Sequence, residues 1–269
     1  MIKVISNMNV VNGKIVSLDY INELLEKNNV NIYEVIRVIN RRPIFLREHY
    51  DRMIKSIKLS KLNFSINYKI FKENIELLIS KNEFYNCNIR VSFYISNEPV
   101  LMMYFIKSSY PSNEQFKSGI YTVTAKLQRD NPNIKEYKID FKKNVERILN
   151  ESNAFEVILI NEDDTISEGS KSNIFFVIKE KLVTSLDNAV LLGVTRGKIV
   201  DVCNKNGIVV EKRNIHLNEL KNFDGAFITG TSNNVLPIRT IDDINYNSSD
   251  NPIIQRVSKL YLNEMNMVI

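Results

Sequence analysis

The segment Glu168-Gly169-Ser170-Lys171-Ser172-Asn173 sets one acid and one glycine between two predicted strands, 155–161 and 173–178. The turn-forming run Asp163-Asp164-Thr165 precedes it, so Glu168 is predicted to lie at the end of a strand. Gly169 allows the backbone or a ligand to approach that acid closely. Taken alone, the segment is better explained as an exposed acid in a turn.

A lysine follows a proline-containing turn upstream of this segment, in Asn131-Pro132-Asn133-Ile134-Lys135. A lysine can carry an aldehyde as a Schiff base only if its amine is fixed in position and partly neutral. Lys135 follows an apolar residue, whereas Lys138, Lys142 and Lys143 belong to a charged stretch predicted as a helix surface. The local pattern favours Lys135 slightly, and a solvated side chain remains the simpler interpretation for any one of these lysines.

Two further segments have features of a phosphate-binding site. Gly193-Val194-Thr195-Arg196 is predicted to begin a helix, where backbone amides and the helix dipole attract an anion. The side chain of Thr195 is equally well explained as a helix cap. Thr229-Gly230-Thr231-Ser232 supplies hydroxyls on a flexible turn, which is a common feature of tight loops.

Two arginines are candidates for binding an anion. His49 and Arg52 are three residues apart on a helix face that is not the apolar one. Arg52 could close the phosphate site as a fixed cation, and a pair exposed on the helix surface explains the two residues about as well. Arg90 interrupts the apolar strand 89–95, where an unpaired charge is costly unless a partner such as a substrate carboxylate is present. The alternative is an edge strand whose Asn88, Arg90 and Ser92 face water.

The composition indicates a globular protein. Of its 269 residues, 44% are hydrophobic and 25% are charged, which favours one large or two modest domains. The net charge of +5 is spread along the chain, without the clustering or motif expected of a nucleic-acid-binding protein. Cys87 and Cys203 are unclustered and predicted to be buried, which suits a reducing compartment. No apolar run is long enough to span a membrane and no signal peptide is recognised, so a cytoplasmic location is expected.

The predicted elements form two groups that meet in the turn-rich segment 108–113. We expect an α+β fold with domains 1–112 and 113–269, because helices and strands do not alternate regularly. The first group is predicted as a strand from Val30 to Asn40 entering a hairpin, helices from Leu46 and over 68–80, and strands 89–95 and 100–106. The second is predicted as strands 120–126, 155–161, 173–178, 182–185, 208–212, 226–229 and 235–241, with helices 141–151, 193–206 (capped by Gly207) and from 253.

The four segments in this order resemble the class IV pyridoxal-phosphate aminotransferases, the fold-type IV family. The resemblance extends to two preceding stretches, Tyr33-Glu34-Val35-Ile36-Arg37-Val38 and Phe45-Leu46-Arg47-Glu48-His49-Tyr50-Asp51-Arg52. That family includes branched-chain and D-amino acid aminotransferases and aminodeoxychorismate lyases. The resemblance implies a homodimer with a smaller N-terminal α/β-type domain and a larger C-terminal pseudo-barrel domain. It also implies pyridoxal 5'-phosphate as cofactor and the transfer of an amino group between an amino acid and a 2-oxo acid.

The resemblance assigns a role to each candidate residue. Lys135 matches the Schiff-base lysine, and Glu168 matches the partner of the pyridine nitrogen. The implied phosphate contacts are Arg52, Val194, Thr195 and Thr231; the further cofactor contacts are Ser172 and Asn173; the substrate contacts are Arg90 and Ser232.

The chain departs from the family pattern in ways that argue against a branched-chain substrate. Asn28-Asn29-Val30-Asn31-Ile32 replaces a Gly-Asp-Gly-like stretch, and Ile139 and Asp140 stand where the branched-chain subgroup has a tyrosine. Asn88 stands where that subgroup more typically has an aromatic residue. A lyase of the aminodeoxychorismate type is the main alternative function, and a basic nucleic-acid-binding protein is a remote one.

Overall fold

The computed structural model describes residues 3–27 and 32–269, which belong to two compact units. One unit comprises Met1–Ser109, Ile134–Tyr137 and Val268–Ile269, and the other comprises Tyr110–Asn133 and Lys138–Met267. Val30, where a strand was predicted to begin, and the departure from the family pattern at Asn28-Asn29-Val30-Asn31 lie outside the described residues. Met1 and Ile2 also lie outside them.

The first unit is built on a six-stranded antiparallel sheet with the strand order β2-β1-β6-β5-β3-β4. Its elements are β1 (Met8–Val11), β2 (Lys14–Ser17), α1 (Leu18–Lys27), β3 (Ile32–Ile39), β4 (Arg42–Pro43), α2 (Leu46–Leu59), α3 (Tyr68–Ser80), β5 (Cys87–Ile95) and β6 (Pro99–Ile106). The apolar faces of α2 and α3 pack on this sheet, where buried Met53, Ile57, Phe71 and Ile75 share one core with the strands.

Two hairpins of this unit have the same turn geometry. The predicted hairpin between β3 and β4 is confirmed, and its loop residues Asn40 and Arg41 have φ values of 50° and 63°. Asn12 and Gly13, between β1 and β2, have φ values of 46° and 80°. Two successive residues of positive φ suit the right-handed twist of the paired strands. The second hairpin was not predicted, although Asn-Gly is a strong signal for such a turn.

The second unit is built on a nine-stranded mixed sheet with the order β12-β11-β10-β13-β14-β7-β8-β9, to which β15 is added beside β14. Its elements are α4 (Asn113–Ser118), β7 (Ile120–Lys126), α5 (Ile139–Ser152), β8 (Glu156–Ile160), β9 (Ile166–Gly169), β10 (Asn173–Ile178), β11 (Lys181–Thr184), α6 (Val194–Lys205), β12 (Val210–Lys212), a 3-10 helix (Leu217–Asn222), β13 (Gly225–Gly230), β14 (Asn234–Ile241), β15 (Ile244–Asn245) and α7 (Pro252–Asn266). The predicted left-handed conformation of Gly207 is confirmed by its φ of 71°.

The topology of the second sheet positions the candidate site. Glu168 lies at the end of β9 and Asn173 at the start of β10, so only a tight turn separates them. Asn173 is paired in register with Thr229 of β13. Two of the four segments singled out in the sequence, 168–173 and 229–232, therefore meet at one edge of this sheet. The stacked rings of Phe175 and Phe227, whose centres are 5.1 Å apart, pack farther along the same strands.

Within residues 3–27 and 32–269, none of the helices combines the length and the hydrophobicity that are needed to span a membrane.

Candidate active site

Glu168 is buried and held by three groups. Its Oε1 lies 3.0 Å from Nε of Arg129, an ion pair in which the glutamate side chain is 4% exposed. Its Oε2 accepts hydrogen bonds from Nδ2 of Asn173 at 3.0 Å and from the backbone N–H of Leu191 at 3.1 Å. All three contacting groups carry N–H donors and none is an acceptor, so they suit an anionic carboxylate better than a protonated one. The interpretation of Glu168 as an exposed acid is therefore wrong.

The turn after Glu168 is held by a second buried acid, Glu156, the first residue of β8. Its carboxylate accepts from the hydroxyls of Ser170 at 2.5 Å and Ser172 at 2.8 Å, and from the N–H of Val157 at 2.9 Å. A side chain on Gly169 would place Cβ 2.1 Å from Oγ of Ser172. A side chain at position 169 would therefore displace the hydroxyl of Ser172 from its bond to Glu156, and that hydroxyl contributes to the turn itself.

The start of α6 lies beside the same turn. Gly193 is its N-cap and Val194 its first residue, and no side chain caps the helix, so the interpretation of Thr195 as a cap is wrong. A Cβ on Gly193 would lie 2.2 Å from Oδ1 of Asn173, which shows how closely the helix start approaches β10. The first backbone amides of a helix have no acceptor within the helix, so this position suits an anion.

A buried hydroxyl lies at the same edge of the sheet. Oγ1 of Thr229 is buried and has no hydrogen-bond partner among the described residues. Thr229 is opposite Asn173, and Thr231 and Ser232 follow it in the turn between β13 and β14. Because a buried hydroxyl without a partner is costly, this one is explained by a polar ligand. The donor chemistry of this edge, amides and hydroxyls beside a buried acid, fits a phosphate ester joined to a protonated ring nitrogen.

Lys135 is fixed by its backbone in the first unit. Its carbonyl accepts from the N–H of Tyr33 at 3.1 Å, and its N–H donates to Oγ of Ser56 at 3.2 Å. Its Nζ lies 4.7 Å from the centre of the Tyr33 ring. Both bonds hold the backbone of Lys135 in position, as a lysine that carries a ligand requires.

Arg52 belongs to a buried cluster with Glu34 and His49. Its Nε and Nη2 contact the two oxygens of Glu34 at 2.8 and 2.6 Å, and Nδ1 of His49 lies 2.8 Å from Oε2 of Glu34. Glu34 and His49 are 0% and 3% exposed. His49 and Arg52 do share one helix face, but that face is turned inward on β3, so their interpretation as a surface pair is wrong. A bidentate pair of this kind holds a guanidinium in one plane.

The charge states of this cluster follow from its burial and its contacts. Burial opposes ionisation of Glu34, but the attraction of Arg52 and hydrogen bonds from Arg52 and His49 outweigh it, and together they lower the pKa of Glu34 to about 2. Burial lowers the pKa of His49, and the positive charges of Arg52 and Lys135 lower it further. The contact with Glu34 raises it, but only partly offsets these effects. At neutral pH the cluster therefore contains an anionic Glu34, a cationic Arg52 and a neutral His49.

Arg90 lies on the central strand β5 and is 5% exposed, so the interpretation of β5 as an edge strand facing water is wrong. Its guanidinium carbon lies 4.0 Å from the ring centre of Tyr33 and 5.1 Å from that of Tyr137. Its Nε donates to Oγ of Ser92 at 3.2 Å, and Ser92 contacts the hydroxyl of Tyr104 at 2.8 Å. Nη2 is buried and has no hydrogen-bond partner in the part of the chain that the structure describes. That unpartnered donor suits a carboxylate ligand.

The two units thus contain two groups of candidate residues. In the first unit are Lys135, Arg52 and Arg90; in the second are Glu168, Ser172, Asn173, Val194, Thr195, Thr231 and Ser232. Glu34, Arg129 and Glu156 hold several of these residues in place, and no role was predicted for them from the sequence. Glu34 lay within a quoted motif, whereas Arg129 lies 39 positions before its partner and no local pattern connects them.

Comparison with known proteins identifies the family. The family described as Amino-transferase class IV matches residues 31–241. A D-alanine aminotransferase of Bacillus licheniformis is 27% identical over 224 residues, which are 78% of this chain and 78% of that protein. A probable branched-chain-amino-acid aminotransferase of Thermotoga maritima is 28% identical over 234 residues, 85% of this chain and 83% of that one.

Solved structures support the same assignment at the level of the fold. A branched-chain amino acid aminotransferase with pyridoxamine 5'-phosphate superposes with a TM-score of 0.86 at 20% identity, covering 99% of this chain and 96% of that one. The branched-chain amino acid aminotransferase from Escherichia coli superposes with a TM-score of 0.83 at 20% identity, covering 97% of this chain and 95% of that one. The predicted α+β, fold-type IV class and the predicted type of enzyme are confirmed. The chain belongs to the class IV aminotransferase family and is an enzyme of the transaminase type.

Proposed function

We propose that this aminotransferase uses pyridoxal 5'-phosphate, held covalently by Lys135, to move an amino group between an amino acid and a 2-oxo acid. The main support is the sheet edge at which a buried acid, Glu168, lies beside the start of α6 and the hydroxyl of Thr229, which has no hydrogen-bond partner among residues 3–27 and 32–269. A buried carboxylate suits a protonated ring nitrogen, and free amides suit a phosphate. One structurally similar branched-chain enzyme is described with pyridoxamine 5'-phosphate, which is the same cofactor in its amino form.

Each candidate residue has a proposed task. When bound, the cofactor supplies an electron sink for the bonds at the substrate's α-carbon. Glu168 keeps the ring nitrogen protonated, and Asn173 and Ser172 support that acid and its turn. Lys135 Nζ would take the proton from the substrate's α-carbon and pass it to the cofactor's aldehyde carbon. The proposed phosphate ligands are Arg52, the amides of Val194 and Thr195, and the hydroxyl of Thr231.

Substrate binding is assigned to Arg90 and Ser232. Arg90 combines a buried, unpartnered Nη2 with two aromatic neighbours, so its guanidinium suits a planar carboxylate. A carboxylate is common to amino acids and 2-oxo acids, so one position serves both halves of the reaction. We further propose that the enzyme is a cytoplasmic homodimer; the family resemblance and the two buried free cysteines, Cys87 and Cys203, are consistent with this.

The proposal is tested with a panel of L- and D-amino donors and 2-oxo acid acceptors on purified protein supplied with pyridoxal 5'-phosphate. The wild type is expected to form a new amino acid from at least one pair, with no need for aminodeoxychorismate. Lys135→Ala should abolish this transfer, whereas the exposed control Lys143→Ala should retain it. Transfer that survives in Lys135→Ala contradicts the assigned role, and pyruvate release from aminodeoxychorismate without any amino transfer indicates a lyase.

A further inference from the structure

Arg129 connects the side chain of Glu168 to the backbone of the turn that follows it. Its Nε lies 3.0 Å from Oε1 of Glu168, and its Nη2 donates to the carbonyl of Ser170. Its guanidinium also lies 4.6 Å from the centre of the Phe141 ring. The ion pair with Glu168, the hydrogen bond to Ser170 and the ring contact restrict the guanidinium of Arg129, whose side chain is only 22% exposed.

Two further contacts of the Glu168 carboxylate are with neutral donors. Asn173 and the amide of Leu191 both reach Oε2, and Arg129 alone of these three brings a positive charge. Neutral donors orient an oxygen, whereas a guanidinium also offsets the cost of burying the negative charge. Without Arg129, a buried Glu168 would be expected to turn away or take up a proton, and in either state its negative charge would no longer stabilise a protonated nitrogen of a ligand.

We propose that Arg129 is a positioning residue that keeps Glu168 anionic and oriented for the cofactor's ring nitrogen. This inference rests on the proposed function, because it gives Glu168 its cofactor contact. Arg129 acts through Glu168 and through the turn, and does not itself need to touch the cofactor or the substrate. Its loss should therefore affect cofactor binding and kcat more than the KM of the amino acid.

The test compares five variants as apoproteins titrated with pyridoxal 5'-phosphate, namely four single substitutions and the double variant Arg129→Met/Glu168→Gln. Arg129→Met removes the charge, Arg129→Lys keeps it but cannot contact both Glu168 and Ser170, and Glu168→Gln removes the partner. Arg147→Met is the matched control, because Arg147 forms an exposed pair with Glu151 on α5. The readouts are the cofactor dissociation constant, the absorbance band of the bound cofactor, kcat and KM, and the melting temperature of each apoprotein.

Arg129→Met is expected to weaken cofactor binding by about 10-fold to 100-fold, the range for losing a contact with a charged group, and to shift the absorbance band. Arg129→Lys should recover part of both effects, and Arg147→Met should match the wild type. In the Glu168→Gln background, Arg129→Met should add little, because the two residues act as one unit. If Arg129→Met does not fold, the cofactor affinity and absorbance band of Arg129→Lys are compared with those of the wild type instead.

Two results overturn the inference, and they differ from a failure of the proposed function. Wild-type affinity and absorbance in Arg129→Met and Arg129→Lys would show that Glu168 does not depend on Arg129. An effect of Arg129→Met that is undiminished in the Glu168→Gln background would show that Arg129 acts by another route, such as general stability. If the wild type itself binds no pyridoxal 5'-phosphate, the proposed function fails, and the role of Arg129 fails with it.

Discussion

Glu34→Gln keeps the shape of the side chain and removes the negative charge that Arg52 and His49 contact. The pKa of Glu34 falls from an ordinary value of 4.5 to about 2 in the folded protein. At about 1.4 kcal/mol per pKa unit, this difference stabilises the folded state by about 3 kcal/mol at neutral pH. Breaking a buried ion pair by removing one partner costs about 3–5 kcal/mol, which agrees with that value.

The contribution of Glu34 to stability has a defined pH range. Because the folded-state pKa lies below the unfolded-state pKa, the stabilisation is complete above about pH 4.5 and is lost as the pH falls through about 2. Glutamine does not titrate. The difference in the free energy of unfolding between wild type and Glu34→Gln should therefore be largest at neutral pH and should narrow below about pH 4.5.

Thermal unfolding at several pH values measures this difference. With an unfolding entropy of about 2.1 cal/mol/K per residue over 269 residues, a loss of about 3 kcal/mol lowers Tm by about 5 °C. The control is Glu23→Gln, which removes an exposed pair with Lys27 and should leave Tm unchanged. A Tm of Glu34→Gln equal to that of the wild type at pH 7, or a difference that stays constant down to pH 3, would refute the reasoning.

Two other predictions concern the same unit. The ring of His49 should titrate below pH 6.5 in an NMR experiment, because its burial disfavours the charged form. The chain has two histidines, so His216→Gln identifies the signal of His49. A titration midpoint at or above pH 6.5 contradicts the prediction. Arg90→Lys should raise the KM of the 2-oxo acid about tenfold or more and leave cofactor binding unchanged. The reason is that lysine has no planar guanidinium to contact Tyr33, Tyr137 and a carboxylate together. An unchanged KM would contradict the assignment of Arg90 to the substrate site.

The sequence predicted elements whose patterns are local. The apolar spacing of α3 and the β-branched run of β7 led to predicted bounds of 68–80 and 120–126, which are the bounds observed. The turn formers at 108–113, which were interpreted as a domain boundary, also include Ser112, the N-cap of α4, which forms a capping box with Gln115. Short elements such as β1 and β2 have four residues each, too few for periodicity to stand out.

The environment of the site residues was less predictable because it depends on distant partners. Helical spacing placed His49 and Arg52 on one face, but that face is buried because Glu34 on β3 neutralises it. The burial of Arg90 depends on the position of β5 within the sheet, which alternation along one strand does not determine. The pairing of Arg129 with Glu168 likewise arises only from the folded sheet and its turns.

The position of the covalent link to the cofactor is the central claim, and peptide mapping tests it most directly. The protein would be loaded with pyridoxal 5'-phosphate, reduced with borohydride, digested and analysed by mass spectrometry, with Lys135→Ala as the control. The expected result is one modified peptide in the wild type, with the added mass on Lys135, and none in the variant. A modification on another lysine, or no modification after loading, would contradict the assignment.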